Sequence, residues 1–352
     1  MGDLGGVPRL NHPLRYPNGP DWTYNEIGIT PNQEAKMGSQ NKDPLAPPGQ
    51  MVDVGGFCLH ALVRGQGTPV VLLEPALGGF ALQYTHIQSA VSAFTRVLAY
   101  DRAGQGWSEV SPNPRTPVNL AGELKALLIK LDLQPPYVLV GHSFGGLLAR
   151  FYAGFHPEEV AGVVLVDSSD VEQYDTIPNL DKMVSQTAMG VRLLKFVSRL
   201  GLGKQLTRMS MGSMARVLPK EDLDTFVTVA SQPKHHDTML AEFSQHRYYF
   251  GSESKVPRSL GDTLLLVITA GNSVSGRGKF GGMTIDQLNE KHQGWQKNLV
   301  QLSTRGEQLV IPGATHLSIL TQPEYVAQLV DAIRRVVEMA REDIRGRAPA
   351  LG

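Results

Sequence analysis

The sequence around Gly141-His142-Ser143-Phe144-Gly145 limits the fold more than any other segment. It follows the apolar run Tyr137–Val140 and leads into the helix-forming stretch Leu147–Ala153. A G-x-S-x-G sequence between a strand and a helix is a sharp turn that exposes the serine hydroxyl. Side chains two positions before and two after the serine would collide in such a turn, and glycine at both removes the collision. The serine then stands at a helix N-terminus, where the dipole favours developing negative charge. Ser143 is therefore the candidate nucleophile.

Other short apolar runs lie on both sides of this turn, at Val70–Leu73, Val97–Tyr100, Val163–Val166, Leu264–Thr269 and Gln308–Ile311. Alternating with helical stretches, they predict an α/β fold: a mostly parallel sheet covered by helices on both faces. Val52–Val54 and Phe57–Val63, joined by Gly55-Gly56, predict a hairpin ahead of it. Thr321-Gln322-Pro323-Glu324 reads as a capping box opening a last helix, with Val326, Leu329, Val330, Ile333, Val336 and Val337 at helical spacing.

The rhythm breaks after Asp167. Residues 171–258 are expected to form a helical cap inserted into a core made of 51–170 and 259–342. Met189–Leu200 and Leu218–Ala230 read as amphipathic cap helices. The cap methionines Met183, Met189, Met209, Met211, Met214 and Met239 read as core packing ahead of a methionine-lined acyl pocket. Residues 1–50, rich in Pro, Gly and Asn, predict an irregular arm that Tyr16, Trp22 and Tyr24 could pin to the body. Residues 343–352 are expected to be a flexible tail.

A serine hydroxyl needs a base to take its proton. His316, in Pro312-Gly313-Ala314-Thr315-His316, follows the last apolar run and precedes the last helix, so a parallel sheet would bring it to the edge that carries Ser143. His142 reads as a packed neighbour, the His235-His236 pair as lying on a polar cap face, and His292 as a surface residue. The base in turn needs a carboxylate to fix its tautomer. Asp167, at the end of Val163–Val166, is the leading candidate, with Asp170 and Asp286 as alternatives. The oxyanion needs amide donors. The N–H of Phe144 supplies one and that of Leu77 the other, with Ala76 as the alternative, because Pro75 has no N–H.

Composition narrows the function further. With 33 basic and 33 acidic side chains the chain has no net charge, which disfavours a basic nucleic-acid module. The lone Cys58 allows no intrachain disulfide and no cysteine-based zinc site, and reads as a small buried hydrophobe. No His-Glu spacing of metalloprotease type occurs, so neither metal nor cofactor is implied. Met1–Pro20 lacks the pattern of a secretory signal, no apolar run is long enough to span a bilayer, and Gly6 breaks the myristoylation pattern. A soluble, cytoplasmic protein acting on a small molecule is the expectation. Oligomeric state carries no sequence signal.

Together these motifs resemble the α/β-hydrolase superfamily. The elbow Gly141–Gly146 is one element, Asp101-Arg102-Ala103-Gly104-Gln105-Gly106-Trp107-Ser108 resembles the turn that precedes it, and Gly313–His316 resembles the histidine loop. Within the superfamily the chain looks like the capped branch with Val166-Asp167-Ser168-Ser169 after the sixth strand. It departs from the commoner pattern in lacking a carboxylate after Leu264–Thr269 and in carrying Glu74-Pro75 where many members have His-Gly. The resemblance implies hydrolysis of a small to medium, moderately apolar carboxylic ester through an acyl-enzyme. Amide cleavage, lactone opening and acyl transfer are alternatives on the same residues, and a non-catalytic ligand-binding protein is the alternative of another class. A serine nucleophile speaks against the epoxide hydrolases and dehalogenases of this fold, which use a carboxylate there.

Overall fold

A computed structural model describes residues 46–210, 220–251, 254–276, 278–280 and 282–347. Tyr16, Trp22 and Tyr24 of the expected arm, Met211 and Met214 of the expected cap, and residues 348–352 of the expected tail lie outside them.

The described strands are β1 Gln50–Asp53, β2 Cys58–Arg64, β3 Val70–Glu74, β4 Val97–Tyr100, β5 Tyr137–His142, β6 Val160–Val166, β7 Leu264–Ala270, β8 Lys279–Phe280, β9 Met283–Thr284 and β10 Gly306–Ile311. Eight of them form one sheet in the order β1-β2-β4-β3-β5-β6-β7-β10. The β1–β2 and β2–β4 pairings are antiparallel, and the rest are parallel. The register sets Glu74 beside Gly141, His142 beside Val166, and Val166 beside Ile268. The carboxyl ends of β3, β5, β6 and β7 therefore meet at one edge, where open α/β sheets place their ligands.

Strand side chains alternate between two cores. Val71, Leu73, Val138, Val140, Val164, Val166, Leu266 and Ile268 face one side, against Ile87 and Val91 of helix Thr85–Val91 and Leu329 and Ile333 of the last helix. Val70, Leu72, Leu139, Val163, Leu165 and Val267 face the other, against Leu124 and Leu127 of helix Pro117–Lys130, Tyr152 of helix Phe144–Phe155 and Leu299 of helix Ile285–Val300. Each such side chain, taken out of water, contributes about 1.5–3 kcal/mol. A strand buried on both faces must be apolar throughout, which is why the runs read so clearly.

Between β6 and β7 every regular element among the described residues is a helix: Gln173–Thr176, Leu180–Arg199, Gly203–Ser210, Lys220–Ala230, Pro233–Ser244 and His246–Tyr249. Phe226 of this insertion stacks on Phe80, with ring centroids 4.4 Å apart. Met239 packs over Gly78, where a Cβ would stand 2.8 Å from its Sδ. Met189 and Met209 are instead 63% and 79% exposed, contrary to the core-packing expectation, because their helix faces point away from the body.

Some local expectations need correction. The last helix, Pro323–Arg347, continues past Glu342 into the expected tail. The Thr321 hydroxyl donates to Leu317 O at 3.1 Å. A capping box forms at helix Ile285–Val300, where Thr284 Oγ1 accepts from Gln287 N and Gln287 Oε1 accepts from Thr284 N. Cys58 is only half-buried, because it opens β2 beside the hairpin turn. No helix of the described residues is long and apolar enough to cross a membrane.

Candidate active site

Ser143 links β5 to helix Phe144–Phe155 with φ 56° and ψ −122°. This is a conformation that L-residues adopt only when their surroundings impose it. The imposing contacts are backbone ones. A Cβ at Gly141 would lie 2.4 Å from Gly145 O, and one at Gly145 would lie 2.3 Å from Glu74 O. Glycine is therefore required at both places by contact, as the sequence predicts.

Ser143, His316 and Asp167 come together. His316 Nε2 is 2.9 Å from Ser143 Oγ, and His316 Nδ1 is 2.7 Å from Asp167 Oδ2. A carboxylate only accepts, so Nδ1 carries the proton and Nε2 is left to accept from the serine hydroxyl. Asp167 is fully buried, with φ 42°. Its Oδ1 accepts from Ala270 N at 2.9 Å and His292 Nε2 at 2.7 Å, and its Oδ2 also accepts from Ser273 Oγ at 2.6 Å. Burial alone would raise its pKa, but the hydrogen bonds and charges of His292 and His316 outweigh burial and hold it well below the usual carboxylate range.

Ser273 occupies the stretch after β7 where many relatives of this fold carry the acid. Here its hydroxyl serves the carboxylate that has moved to β6, and its carbonyl accepts from His316 N at 3.0 Å. Asp170 does not reach His316. Its Oδ1 accepts from Glu172 N, and its Oδ2 lies 3.7 Å from Arg150 Nη1. Asp286 is exposed in the first turn of helix Ile285–Val300.

The loop after β3 carries Leu77, and Leu77 and Phe144 line the same recess as Ser143. The N–H of Phe144 opens its helix and has no acceptor within it. Arg102 holds the loop, donating from Nη1 to Pro75 O at 2.6 Å and from Nη2 to Ala76 O at 2.9 Å. The same guanidinium binds Glu74 Oε1 at 3.0 Å and both carboxylate oxygens of Glu242, on helix Pro233–Ser244 between β6 and β7. The Tyr100 hydroxyl also donates to Glu74. Glu74, unusual in the sequence, is thus the buried counter-charge that fixes Arg102 under the loop after β3. Burial pushes its carboxyl up, against the pull of Arg102.

Two recesses meet at Ser143, Ser169, Gln173 and Ile177. One, about 510 Å³, extends past His316 toward Ser275, Leu288 and Trp295. The other, about 200 Å³ and mostly apolar, extends past Leu77 and Phe144 toward Val184 and Phe243. Among the described residues one group could hold a metal, His156, Glu158 and Glu159, at the opposite edge of the sheet. Glu159 already pairs there with Lys125 and Tyr152.

The remaining histidines separate into two kinds. His142 is a packed neighbour, as expected: its Nε2 donates to His316 O at 2.9 Å, and burial, then His316, pushes its pKa down to about 3. His235 and His236 do not lie on a polar face. Both are buried, and His235 packs edge-on against Phe80, with its pKa pushed down to about 3 by burial and then by His236. His292 is the residue that sequence reasoning misplaced at the site itself. It is 5% exposed and bonded to Asp167, not on the surface. Its spacing from Leu288 and Trp295 on one helix face, both lining the larger recess, was the available signal.

A model of the alpha/beta hydrolase family matches residues 70–329. A protein of Hormonema carpetanum named as a probable transporter is 35% identical over 136 residues, 36% of this chain and 20% of that one. The curated relatives are matched over 20% to 51% of their own length. A thermophilic esterase from Thermogutta terrifontis superposes with a TM-score of 0.57 at 21% identity, over 80% of this chain and 94% of that chain. The epoxide hydrolase CorEH superposes with a TM-score of 0.63 at 16% identity, over 82% and 97%. At such identities these likenesses concern the fold alone.

Proposed function

Because this chain belongs to the alpha/beta hydrolase family, we propose that it is a serine hydrolase cleaving a carboxylic ester of small to medium, moderately apolar character. The observation that carries this reading is the position of His316, with one ring nitrogen 2.9 Å from Ser143 Oγ and the other 2.7 Å from Asp167. That spacing suits transfer of the serine proton to Nε2 as Oγ attacks the ester carbonyl. Asp167 then stabilises the imidazolium. The N–H groups of Phe144 and Leu77 stabilise the oxyanion, a contribution of about 3–4 kcal/mol per donor where one has been removed elsewhere.

Collapse of the tetrahedral intermediate returns the proton from His316 to the departing alcohol oxygen and leaves an acyl group on Ser143. Water, deprotonated by His316, attacks that acyl group, and the acid leaves. A serine at this position, in place of a carboxylate, sets the proposed chemistry apart from alkyl-enzyme formation. The mostly apolar lining of the smaller recess supports an apolar group on one side of the ester.

Ser143→Ala should lower kcat on p-nitrophenyl esters by roughly 10⁶-fold, because the members of such a unit act together. A fluorophosphonate probe should label the parent chain at Ser143 and leave the variant unlabelled. Ester turnover persisting in Ser143→Ala would end this reading. Failure of the folded parent chain to be labelled would favour a ligand-binding protein.

A further inference from the structure

Cap helices Leu180–Arg199 and Gly203–Ser210 have an apolar side with no packing partner among the described residues. Met189, Leu193, Phe196 and Leu200 follow one another at steps of four, three and four, which sets them on one side of the first helix. They are 59% to 63% exposed, and Leu206 and Met209 extend the patch onto the second helix at 39% and 79%. The opposite side of the first helix is spoken for: Leu180 and Val184 line the smaller recess and Val191 is buried. An exposed apolar patch on this scale marks an interaction site.

We propose that this face docks on the surface of an anionic lipid membrane. Its cations argue for that occupant. Lys182, Arg192, Arg199 and Lys204 are exposed and form no ion pair among the described residues, whereas Lys195 and Arg208 are paired with Asp237 and Asp224 on neighbouring helices. The one acidic residue in 180–210, Asp181, is engaged by Tyr174 and His246. This local positive excess is balanced by a net negative remainder, since the whole chain carries 33 basic and 33 acidic groups. A low-hydropathy helix with Phe and Leu on one side and Lys and Arg along its flanks is the pattern of an in-plane interfacial helix. The long Lys and Arg stems can reach headgroup phosphates while the apolar row enters the acyl boundary.

Two other occupants fit less well. A second copy docked through the same face about a twofold axis would set four unpaired cations against the same four. Residues 1–45 carry five acidic and four basic side chains, too balanced to answer them.

The test uses the full-length chain with Phe196→Trp, its emission read as a difference from the parent. In buffer the difference spectrum should be that of a solvent-exposed indole. It should shift to the blue on adding phosphatidylglycerol vesicles, not on adding pure phosphatidylcholine vesicles, and the shift should reverse at about 1 M salt. Co-sedimentation with the anionic vesicles should fall at least tenfold in Leu193→Gln/Phe196→Gln and roughly fivefold for each of Arg192→Gln and Arg199→Gln. An unchanged Tm shows that these exposed substitutions leave the fold intact. No blue shift with anionic vesicles overturns the proposal. So does an indole already blue-shifted in dilute buffer, which means a segment of the chain covers the face. A blue shift that grows with protein concentration alone assigns the face to a second copy, and overturns it too.

Discussion

At the residue scale the most informative atom is Asp167 Oδ1. Beside the backbone amide of Ala270, a second imidazole, His292, donates to it at 2.7 Å. His292 does not touch Ser143, so its action runs through Asp167, as a positioning residue. Removing the donor leaves the negative charge of Asp167 less dispersed. The carboxylate then holds the protonated His316 ring more tightly. His292→Leu should therefore move the acid limb of the kcat/KM profile to higher pH. It should also lower kcat by roughly 10- to 100-fold, the scale seen when a hydrogen bond orienting a functional histidine is lost. His292→Gln, whose amide nitrogen stands as many bonds from the backbone as Nε2, should restore both. A kcat loss with an unmoved acid limb would reduce His292 to a packing role. The sequence could not deliver this contact, because nothing in a helical histidine says which strand end it faces. It did place Ser143 at a strand–helix turn and His316 in the loop before the last helix, because those positions follow from local turn geometry and from the strand order.

At the scale of elements, Arg102 joins three parts of the chain: the turn after β4, the loop after β3 and helix Pro233–Ser244. It is 2% exposed and faces two carboxylates, Glu74 and Glu242. Its removal would leave both acids buried against each other without a counter-charge. Arg102→Met should cost about 3–5 kcal/mol of stability, read as a lowered urea midpoint, since breaking a buried pair strands its partners. Arg102→Met/Glu242→Gln should recover part of that loss. Equal loss in single and double variants would show that loop anchoring, not stranded charge, dominates. Elements of this kind explain what was legible. Parallel strands announce themselves as apolar runs, so all six runs appear as strands. The short β8–β9 pair has no such run, and the helices between β6 and β7 have outer faces whose exposure depends on what lies beside them. Met189 and Phe196 look the same in sequence whether they enter a core or face outward.

For the whole molecule, the absence of net charge near neutrality means that self-repulsion does little there, and acid sensitivity must come from particular groups. His142 and His235 fold as neutral imidazoles, each with its pKa pushed down to about 3, against about 6.5 in the unfolded chain. The unfolded state therefore binds more protons between those values, and stability falls as pH is lowered through that window. At pH 5 each histidine should have removed about 2 kcal/mol relative to pH 7. Asp167 acts with the same sign in a lower window: its contribution is complete above the ordinary carboxylate range and is lost only as pH falls below it. Melting curves from pH 7 to pH 5 should thus show a falling Tm above the ordinary carboxylate range. His235→Gln, which carries no titrating group, should flatten that fall. A Tm that stays level to pH 5 and drops only below pH 4 would assign the acid limb to the carboxylates and leave the buried histidines without a part in it.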